Sequence, residues 1–294
     1  LGGWVKDDAA AVKLYQRACD GGQQLGCVHL ASAYLSGKGN LTRDAVHAVE
    51  LLEASCDAHE QAACAKLADM VHAGIGGLRK DQRRAFTLNK KACEAGAQSA
   101  CVQLGDMYQA GEAGLTKDIE EAKQLYRRAC RGGAPSGCVA LANADASLSD
   151  ERKAQLLDEA CRQGEPRGCG ALAEMVAAGT AGERDAVRAA ALYTRACDGG
   201  VYLACTQLAN MVYQGAGVAR DAARSVALNQ KACTGGEALG CVRLGLLYAW
   251  GHGVKADKQR AAAFHKQACQ GTLSEDMQAR CDKLAKAIKA DGDD

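Results

Sequence analysis

The sequence predicts an all-α protein in which helix hairpins repeat along a solenoid. Its 16 cysteines fall into eight pairs, seven with a spacing of eight positions and the last with a spacing of twelve. The first cysteines of successive pairs are 31 to 37 residues apart, and a regular period of this length is typical of a repeat array. Apolar residues recur at helical spacing between the pairs. Each repeat is therefore expected to contain two helices.

The composition favours one elongated array over two globular domains. We expect residues 1–294 to form a single solenoid of about eight hairpins, because each unit of such an array contacts only its neighbours. Hydrophobic residues make up 48% of the chain and aromatic residues only 4%. The 36 basic and 35 acidic side chains balance, which argues against nucleic acid or an anionic membrane as a partner. No apolar run approaches the length that spans a bilayer.

The first helix of each repeat, which we call helix B, has a clear start signal. An Asp lies twelve residues before the first cysteine in seven repeats, and Ser149 takes this place in the fifth. Both residue types cap helices by accepting amide hydrogens of the first turn. The seven are Asp7, Asp44, Asp81, Asp118, Asp185, Asp221 and Asp257. Ala11, Leu14, Tyr15 and Ala18 then form the inward stripe of the first helix B.

The second helix, helix A, begins at the second cysteine of each pair. Six B helices are followed by Gly three residues after their first cysteine, where a left-handed turn closes a helix. His59 and Thr272 stand at this place in two repeats. Helix A then carries Leu, a small residue and a larger apolar residue at +3, +4 and +7 from its cysteine, as in Leu30, Ala31 and Tyr34. This spacing predicts a second buried face.

Three parts of the chain depart from the regular pattern. Residues 1–6 resemble the later loop 251–257, so we expect a partial loop whose preceding helix is missing. The helix at 149–162 follows a shortened connection, and Asp145 replaces the apolar +7 residue; we expect a tighter turn and a local change of pitch. Residues 276–290 are expected to form a polar capping helix, followed by a frayed tail at 291–294.

The cysteines have three possible roles: disulfides, metal ligands or buried thiols. Zinc ligands usually lie two to four residues apart and include His, whereas the six His residues here do not follow the repeat. The turn between antiparallel helices can bring two Cα atoms to disulfide distance. We therefore expect Cys19–Cys27, Cys56–Cys64, Cys93–Cys101, Cys130–Cys138, Cys161–Cys169, Cys197–Cys205, Cys233–Cys241 and Cys269–Cys281. Such bonds indicate an oxidising compartment.

These residues resemble a known family. The stretch with Leu244-Gly245, Tyr248, Gly251-His252-Gly253-Val254, Asp257, Ala261 and Ala268-Cys269 resembles the Sel1-like repeat, a relative of the tetratricopeptide repeat. The cysteine spacing resembles the cysteine-rich, Helicobacter cysteine-rich protein type. The resemblance implies a right-handed α/α superhelix in a secreted or periplasmic protein that acts as an interaction scaffold. Some members have been labelled penicillin-binding proteins or β-lactamases.

Helix A lines the concave face in tetratricopeptide-like arrays, so binding residues are expected there. Positions +2, +5 and +9 from the second cysteine lie beside the buried stripe, and their polar groups could hold an extended peptide. The candidates are His29, Lys66, Asp69, Gln103, Asp106, Asn143, Glu174, Gln207, Asn210, Arg243 and Trp250. The alternative is an ordinary solvated helix face, with Trp250 packed against its neighbours.

Signals for catalysis are weak. No Ser has Lys three residues later, as serine β-lactamases require; Thr87–Lys90 is the nearest match and lies on a helix B. We expect no catalytic residue, metal or cofactor. The sequence thus predicts an exported, monomeric scaffold that binds a protein or extended peptide, in the bacterial periplasm or outside the cell, or alternatively in the mitochondrial intermembrane space. Two other functions stay open: a penicillin-binding or β-lactamase-like enzyme, and a purely structural spacer.

Overall fold

The computed structural model describes residues 7–270 and 273–289. Within these ranges it contains 16 α-helices and no strand. The helices are α1 (Asp8–Asp20), α2 (Gln24–Ser36), α3 (Ala45–Asp57), α4 (Gln61–Ala73), α5 (Gln82–Glu94), α6 (Gln98–Ala110), α7 (Ile119–Arg131), α8 (Pro135–Ala144), α9 (Asp150–Arg162), α10 (Pro166–Ala178), α11 (Ala186–Asp198), α12 (Tyr202–Gln214), α13 (Ala222–Thr234), α14 (Ala238–Trp250), α15 (Lys258–Ala268) and α16 (Glu275–Lys289). Odd-numbered helices are B helices and even-numbered helices are A helices.

The expected capping helix is α16, which ends at Lys289. The loop expected at 1–6, the tail at 291–294 and the turn residue Thr272 lie outside the described residues. The chain divides into two compact units, Leu1–Asp145 and Ala146–Asp294. The first unit contains α1–α8 and the second contains α9–α16. In both units each helix packs against the next along the chain, which is the arrangement of stacked hairpins.

The predicted helix caps are present at both ends of the B helices. The carboxylate of Asp44 accepts a 2.9 Å hydrogen bond from the backbone N–H of His47, and the hydroxyl of Ser149 accepts one of 3.3 Å from Arg152. At the other end Gly96 has φ +105°, the left-handed region that favours glycine. His59, which replaces this glycine in the second hairpin, adopts φ +64°. The turn therefore keeps its conformation without glycine.

All eight predicted disulfides are formed, and no free cysteine occurs among the described residues. Seven of them join the end of a B helix to the first turn of the next A helix, with Cα–Cα distances of 4.5 to 4.7 Å. In the last pair the Cα atoms of Cys269 and Cys281 are 5.9 Å apart, because the intervening segment is longer. These bonds fix the angle of every hairpin at its turn.

The buried stripe follows the predicted positions except in α1, where Ala11, Tyr15 and Ala18 are only partly buried and Val12 is the buried residue. The Leu residues at +3 on the A helices, including Leu30, Leu172 and Leu244, are essentially fully buried. Leu14 was expected on the same inward face of α1, but 62% of its surface is exposed. It is exposed because no helix among the described residues covers the outer side of α1. The equivalent Leu192 of α11 is buried between its neighbours.

A second set of contacts joins successive hairpins of each unit. The guanidinium of Arg128 on α7 donates a 2.8 Å hydrogen bond to the backbone carbonyl of Cys93, one hairpin earlier. Lys91 makes the same contact with the carbonyl of Cys56 at 3.1 Å, and Arg195 makes it with that of Cys161 at 2.6 Å. A basic side chain at the end of a B helix thus satisfies a carbonyl at the end of the previous one, as expected for the negative end of a helix dipole.

The shortened connection after the fourth hairpin has a polar anchor. Helix α8 has only 10 residues and ends at Ala144. The residue that caps it, Asp145, is buried, with 3% of its surface exposed. Lys123 and Arg127 of α7 lie 3.2 and 3.5 Å from its two oxygens. Two cations therefore compensate the buried charge, as a buried carboxylate requires. The expected tighter connection is present, with five residues between α8 and α9.

Candidate functional site

The residues at +2 and +5 all lie on A helices, and none of the candidates is buried. Several of them line neither of the two pockets described below. His29 stacks on Tyr15, with ring centroids 5.0 Å apart. Asn143 and Glu174 are exposed on α8 and α10. Six of the others meet in two pockets, one within each unit.

The two pockets depend on one position of helix B, four residues before its cysteine. Most hairpins have Tyr or Leu there, namely Tyr15, Leu52, Tyr126, Leu157 and Tyr193. The third and seventh hairpins have Asn89 and Asn229, and the eighth has His265. Both asparagines are buried, with 3% and 2% of their surface exposed. Each forms part of the wall of one pocket.

Tyr126 shows what a large side chain does at this position. It is almost completely buried, and its ring occupies the space where a side chain of Gly105 would lie. Its hydroxyl donates to Asp106 Oδ1 at 2.6 Å and lies 3.0 Å from Gln109 Oε1 on α6. Burial, and then the hydrogen bond to Asp106, raise the pKa of Tyr126 far above its usual range. Tyr126 of α7 thus fills the gap to the preceding A helix, α6, and its hydroxyl reaches polar side chains of α6.

The pocket of the first unit, which we call the acidic pocket, lies where Asn89 replaces such a tyrosine. Its volume is about 250 Å³. Helices α4, α5 and α6 and the following loop supply its walls. The lining residues are Asp69, His72, Asn89, Gln103, Asp106, Met107 and Glu112. Three of the seven are carboxylates, and no Lys or Arg lines the pocket.

The polar groups of the acidic pocket are only partly paired. The side-chain nitrogen of Gln103 donates to Asp69 Oδ1. The side-chain nitrogen of Asn89 lies 3.8 Å from Met107 Sδ and donates to it. Asn89 Oδ1, Gln103 Oε1 and Glu112 Oε2 are buried atoms without a hydrogen-bond partner. Partial burial raises the pKa of the Asp69 carboxyl, although Gln103 and Lys66 oppose the shift. The pocket therefore has more acceptors than donors.

The pocket of the second unit, which we call the Trp250 pocket, lies at the equivalent position of the seventh hairpin but is lined by different groups. It lies over Asn229 and has a volume of about 210 Å³. Its other lining residues include Asn210, Tyr213, Arg243, Leu246, Leu247, Trp250 and His252. Position by position, Arg243 stands where the acidic pocket has Gln103, and Leu246 stands where it has Asp106. This pocket is apolar and basic rather than acidic.

Three contacts hold the walls of the Trp250 pocket. The hydroxyl of Tyr213 and Nδ1 of His252 share a 2.8 Å hydrogen bond. The guanidinium of Arg243 donates to the backbone carbonyl of Thr206 at 3.3 Å, and burial lowers its pKa. The ring of Trp250 is 46% exposed, and Lys283 Nζ lies 5.7 Å from its centre. Trp250 is thus a fixed, half-exposed aromatic surface at the rim.

Three of the seven residues that line the acidic pocket, and three of the nine that line the Trp250 pocket, are among the candidates from the sequence. Asp69, Gln103 and Asp106 meet in the acidic pocket, and Asn210, Arg243 and Trp250 meet in the other. Lys66 lies near Asp69 without lining the pocket, and Gln207 lines neither. Asn89 and Asn229, which form part of the pocket walls, are not among the candidates from the sequence. The signal that marks them is an Asn at a position where the other hairpins carry larger side chains.

The described residues offer little for metal chemistry. No group of three or more His, Cys, Asp or Glu residues in the described part of the chain could hold a metal ion. In the same part of the chain, no helix is long and apolar enough to cross a membrane. The groups that line the two pockets include amides, carboxylates, a guanidinium and an indole.

Comparison with known proteins identifies the repeat. The family model described as Sel1 repeat matches residues 2–23, 25–59, 61–96, 98–133, 166–201, 203–237 and 238–272. The unmatched stretch between 133 and 166 contains the short helix α8 and its connection. A comparison with curated proteins found no match.

This chain is similar to several solved structures, and two with TM-scores above 0.5 support the fold. A Sel1 repeat protein from Oxalobacter formigenes is 23% identical, covers 93% of this chain and 79% of its own, and has a TM-score of 0.65. An immunity protein from Pseudomonas aeruginosa is 17% identical, with a TM-score of 0.51; the match covers 79% of this chain and 88% of the immunity protein. Helicobacter pylori cysteine rich protein B is 28% identical over 45% of this chain and 97% of its own, with a TM-score of 0.37.

Proposed function

This chain belongs to the Sel1 repeat family, and from that premise we propose that it is an exported, disulfide-stapled scaffold that binds an extended polypeptide along its helix A surface. Sel1 repeat proteins are generally protein-interaction scaffolds. The observation that carries the proposal is the pair of pockets at equivalent positions of the third and seventh hairpins. Both open where Asn replaces a larger residue, and both are lined by side chains of successive A helices.

An extended polypeptide fits these pockets better than a compact ligand does. Six of the seven regular A helices carry a polar residue at +5 from their cysteine, so a chain laid across neighbouring A helices can meet a hydrogen-bonding group on each. The amides of Gln103 and Asn210 can pair with peptide groups, and the pockets can take individual side chains. The half-exposed Trp250 adds the aromatic type that is enriched at binding hot spots.

The disulfides support an exported location. Eight disulfides persist in oxidising spaces and are rare where glutathione keeps thiols reduced. We place the protein in the bacterial periplasm or outside the cell, acting as a monomer. Alkylation of whole cells with a thiol reagent before lysis tests the compartment. The expected result is an unlabelled protein; extensive labelling in the native cell would contradict export.

The binding function is tested with a random peptide library selected on the oxidised protein. Dissociation constants of the selected peptides are then measured for the wild type, the double variant Asn89→Tyr/Asn229→Tyr and the control Thr87→Tyr. Tyrosine at the two Asn positions fills both pockets, as Tyr126 and Tyr193 do in their own hairpins, whereas Thr87 is exposed on α5. We expect at least a tenfold loss in the double variant and none in the control. Equal binding by all three proteins would reject the helix A surface as the site.

A further inference from the structure

We propose that the acidic pocket is a receptor for a basic side chain, arginine or lysine, of the bound polypeptide. The inference rests on the function proposed above and specifies the chemistry of one of its contacts. It is carried by the surplus of hydrogen-bond acceptors in the pocket and by the sign of the charges around them.

The acceptor surplus follows from the orientation of two amides. The nitrogen of Gln103 must face Asp69, because the Asp69 carboxylate is an acceptor and pairs only with a donor. The nitrogen of Asn89 likewise faces Met107 Sδ, which is an acceptor without a hydrogen. Both carbonyl oxygens are therefore turned away from these partners, and both are buried and unpaired. Asn89 itself is 3% exposed.

A third unpaired oxygen belongs to a carboxylate. Glu112 Oε2 is buried and lies 3.6 Å from His72 Nδ1, which is beyond hydrogen-bond distance. A buried acceptor without a donor costs free energy, and a carboxylate costs more than an amide. The pocket therefore keeps three acceptors that a ligand with several N–H groups would satisfy together. Guanidinium has five such donors and ammonium has three.

The charges around the pocket select a cation. Asp69, Asp106 and Glu112 line it together with one His, His72, which lies 3.6 Å from Glu112 Oε2; Lys66 acts on Asp69 from outside the lining. An acidic side chain would meet three carboxylates, and an apolar one would cover the unpaired oxygens without giving them donors. A metal ion does not fit either, because no metal-binding group occurs in the described part of the chain. A basic side chain both pairs the acceptors and offsets the charge.

The equivalent pocket of the second unit is the internal control for this reasoning. It also lies over a buried Asn with an unpaired Oδ1, at Asn229. There Asn229 donates to the backbone carbonyl of Ser225 at 2.9 Å, and the surrounding groups are Arg243, Leu246 and Trp250. The acidic character is therefore a property of the third hairpin and not of the repeat. A cation should bind to one pocket and avoid the other.

The probes are four peptides, acetyl-Gly-Gly-X-Gly-Gly-amide, with X as arginine, lysine, citrulline or norleucine. Binding to the oxidised full chain is followed by the ¹⁵N shifts of the Asn89 and Gln103 side-chain amides. We expect the arginine and lysine peptides to bind at least ten times more tightly than the citrulline and norleucine peptides. Citrulline keeps the shape and most N–H groups of arginine but lacks its charge, so it isolates the electrostatic contribution.

The variants locate the site. Asn89→Tyr fills the pocket and Asn89→Leu removes the acceptor, with Leu52 and Leu157 as precedents at the same position. Both should abolish the preference for arginine, and Asp69→Asn should weaken arginine binding at least threefold. The matched control, Asn229→Tyr, should leave it unchanged. Helical circular dichroism verifies that each variant is folded, and having two substitutions at Asn89 guards against one that does not fold.

Two results would overturn the inference. One is equal affinity for the arginine and citrulline peptides; the other is an arginine preference that survives both Asn89 variants. These outcomes differ from a failure of the proposed function. If library peptides bind and Asn229→Tyr blocks them, yet no basic preference depends on Asn89, only the present inference fails. If neither pocket affects any selected peptide, the proposed function fails as well.

Discussion

The hydroxyl of Tyr126 donates a 2.6 Å hydrogen bond to Oδ1 of Asp106, across the gap between a B helix and the preceding A helix. One hairpin earlier the corresponding residues are Asn89 and Asp69, and Asn89 is too short to make this contact. Asp69 accepts instead from Gln103 of the next A helix. A single change of side-chain size thus decides whether the gap is filled or forms a pocket.

We predict that Tyr126→Asn opens a pocket in the fourth hairpin and destabilises the protein by about 3–5 kcal/mol, the usual cost of removing a buried aromatic ring. Tyr126→Phe keeps the ring and should cost only about 1–2 kcal/mol, for the lost hydrogen bond. Urea unfolding followed by circular dichroism measures both. Equal losses in the two variants would show that the ring itself contributes little.

We predict that Asp69→Asn stabilises the protein at neutral pH while weakening ligand binding. The folded-state pKa of Asp69 is raised above its ordinary value of 3.8, mainly by burial. Folding therefore favours the protonated form, and the wild type gains stability as pH falls from the folded pKa towards 3.8. The advantage of the variant should be greatest at pH 7 and should shrink over that acidic window.

Melting temperatures of the wild type and Asp69→Asn between pH 3 and pH 8 test this. The same series on Asp198→Asn, whose exposed carboxylate lies 3.1 Å from Lys231, serves as a control for removing a surface carboxylate outside the pocket. A variant that is less stable than the wild type at pH 7 would mean that the Asp69 charge stabilises the fold.

We predict that the contact between successive hairpins contributes to stability. Arg195→Met removes the 2.6 Å hydrogen bond to the carbonyl of Cys161 and should cost about 1 kcal/mol. The control is Arg188→Met on the same helix, which loses only an exposed ion pair of 3.6 Å with Asp158; exposed pairs contribute from about 0 to 1 kcal/mol. A larger loss in the control than in Arg195→Met would contradict this role.

We predict that each disulfide adds to stability in its own hairpin. Replacing Cys93 and Cys101 by Ala should lower the free energy of unfolding by about 2–3 kcal/mol, as the chain-entropy model gives for a loop this short. Ala fits because both sites are buried in the core. Hydrogen exchange should show that α5 and α6 lose protection first. Uniform loss along the chain would mean that the hairpins do not unfold locally.

We predict that Trp250→Ala weakens the binding of selected peptides by at least tenfold, the scale of a typical hot spot. The melting temperature should change little, because nearly half of the ring is in solvent. The matched control is Tyr202→Ala, an exposed aromatic residue at the start of α12 that lines neither pocket. Loss of affinity in the control alone would move the binding surface away from Trp250.

The fold was predictable because its determinants repeat. The cysteine pairs, the Asp caps and the Leu at +3 occur in nearly every hairpin, so the pattern can be recognised even where one hairpin departs from it. Leu14 was misplaced because burial at this position needs a helix on its outer side, which no local pattern reveals. The disulfides could be paired from spacing alone because a helix hairpin brings its own ends together.

The candidate site was predictable only in part, because a pocket needs a small side chain at one position as well as polar side chains around it. Asp69, Gln103 and Asp106 could be placed on one face from the helical period. The cavity between them exists because Asn89 lacks the bulk of Tyr126, and its loop wall comes from Glu112, beyond the end of α6. Neither Asn89 nor Glu112 lies on an A helix, so the polar pattern of the A helices does not reveal them.

The central claim is that the pockets over Asn89 and Asn229 receive side chains of a bound polypeptide. The most direct measurement is a crystal structure of the oxidised protein with its tightest selected peptide. We predict that the peptide lies across the A helices of one unit, with a side chain within hydrogen-bond distance of Asn89 Oδ1 or of Asn229 Oδ1. A peptide seated on the B helices, with neither asparagine in contact with it, would contradict the account.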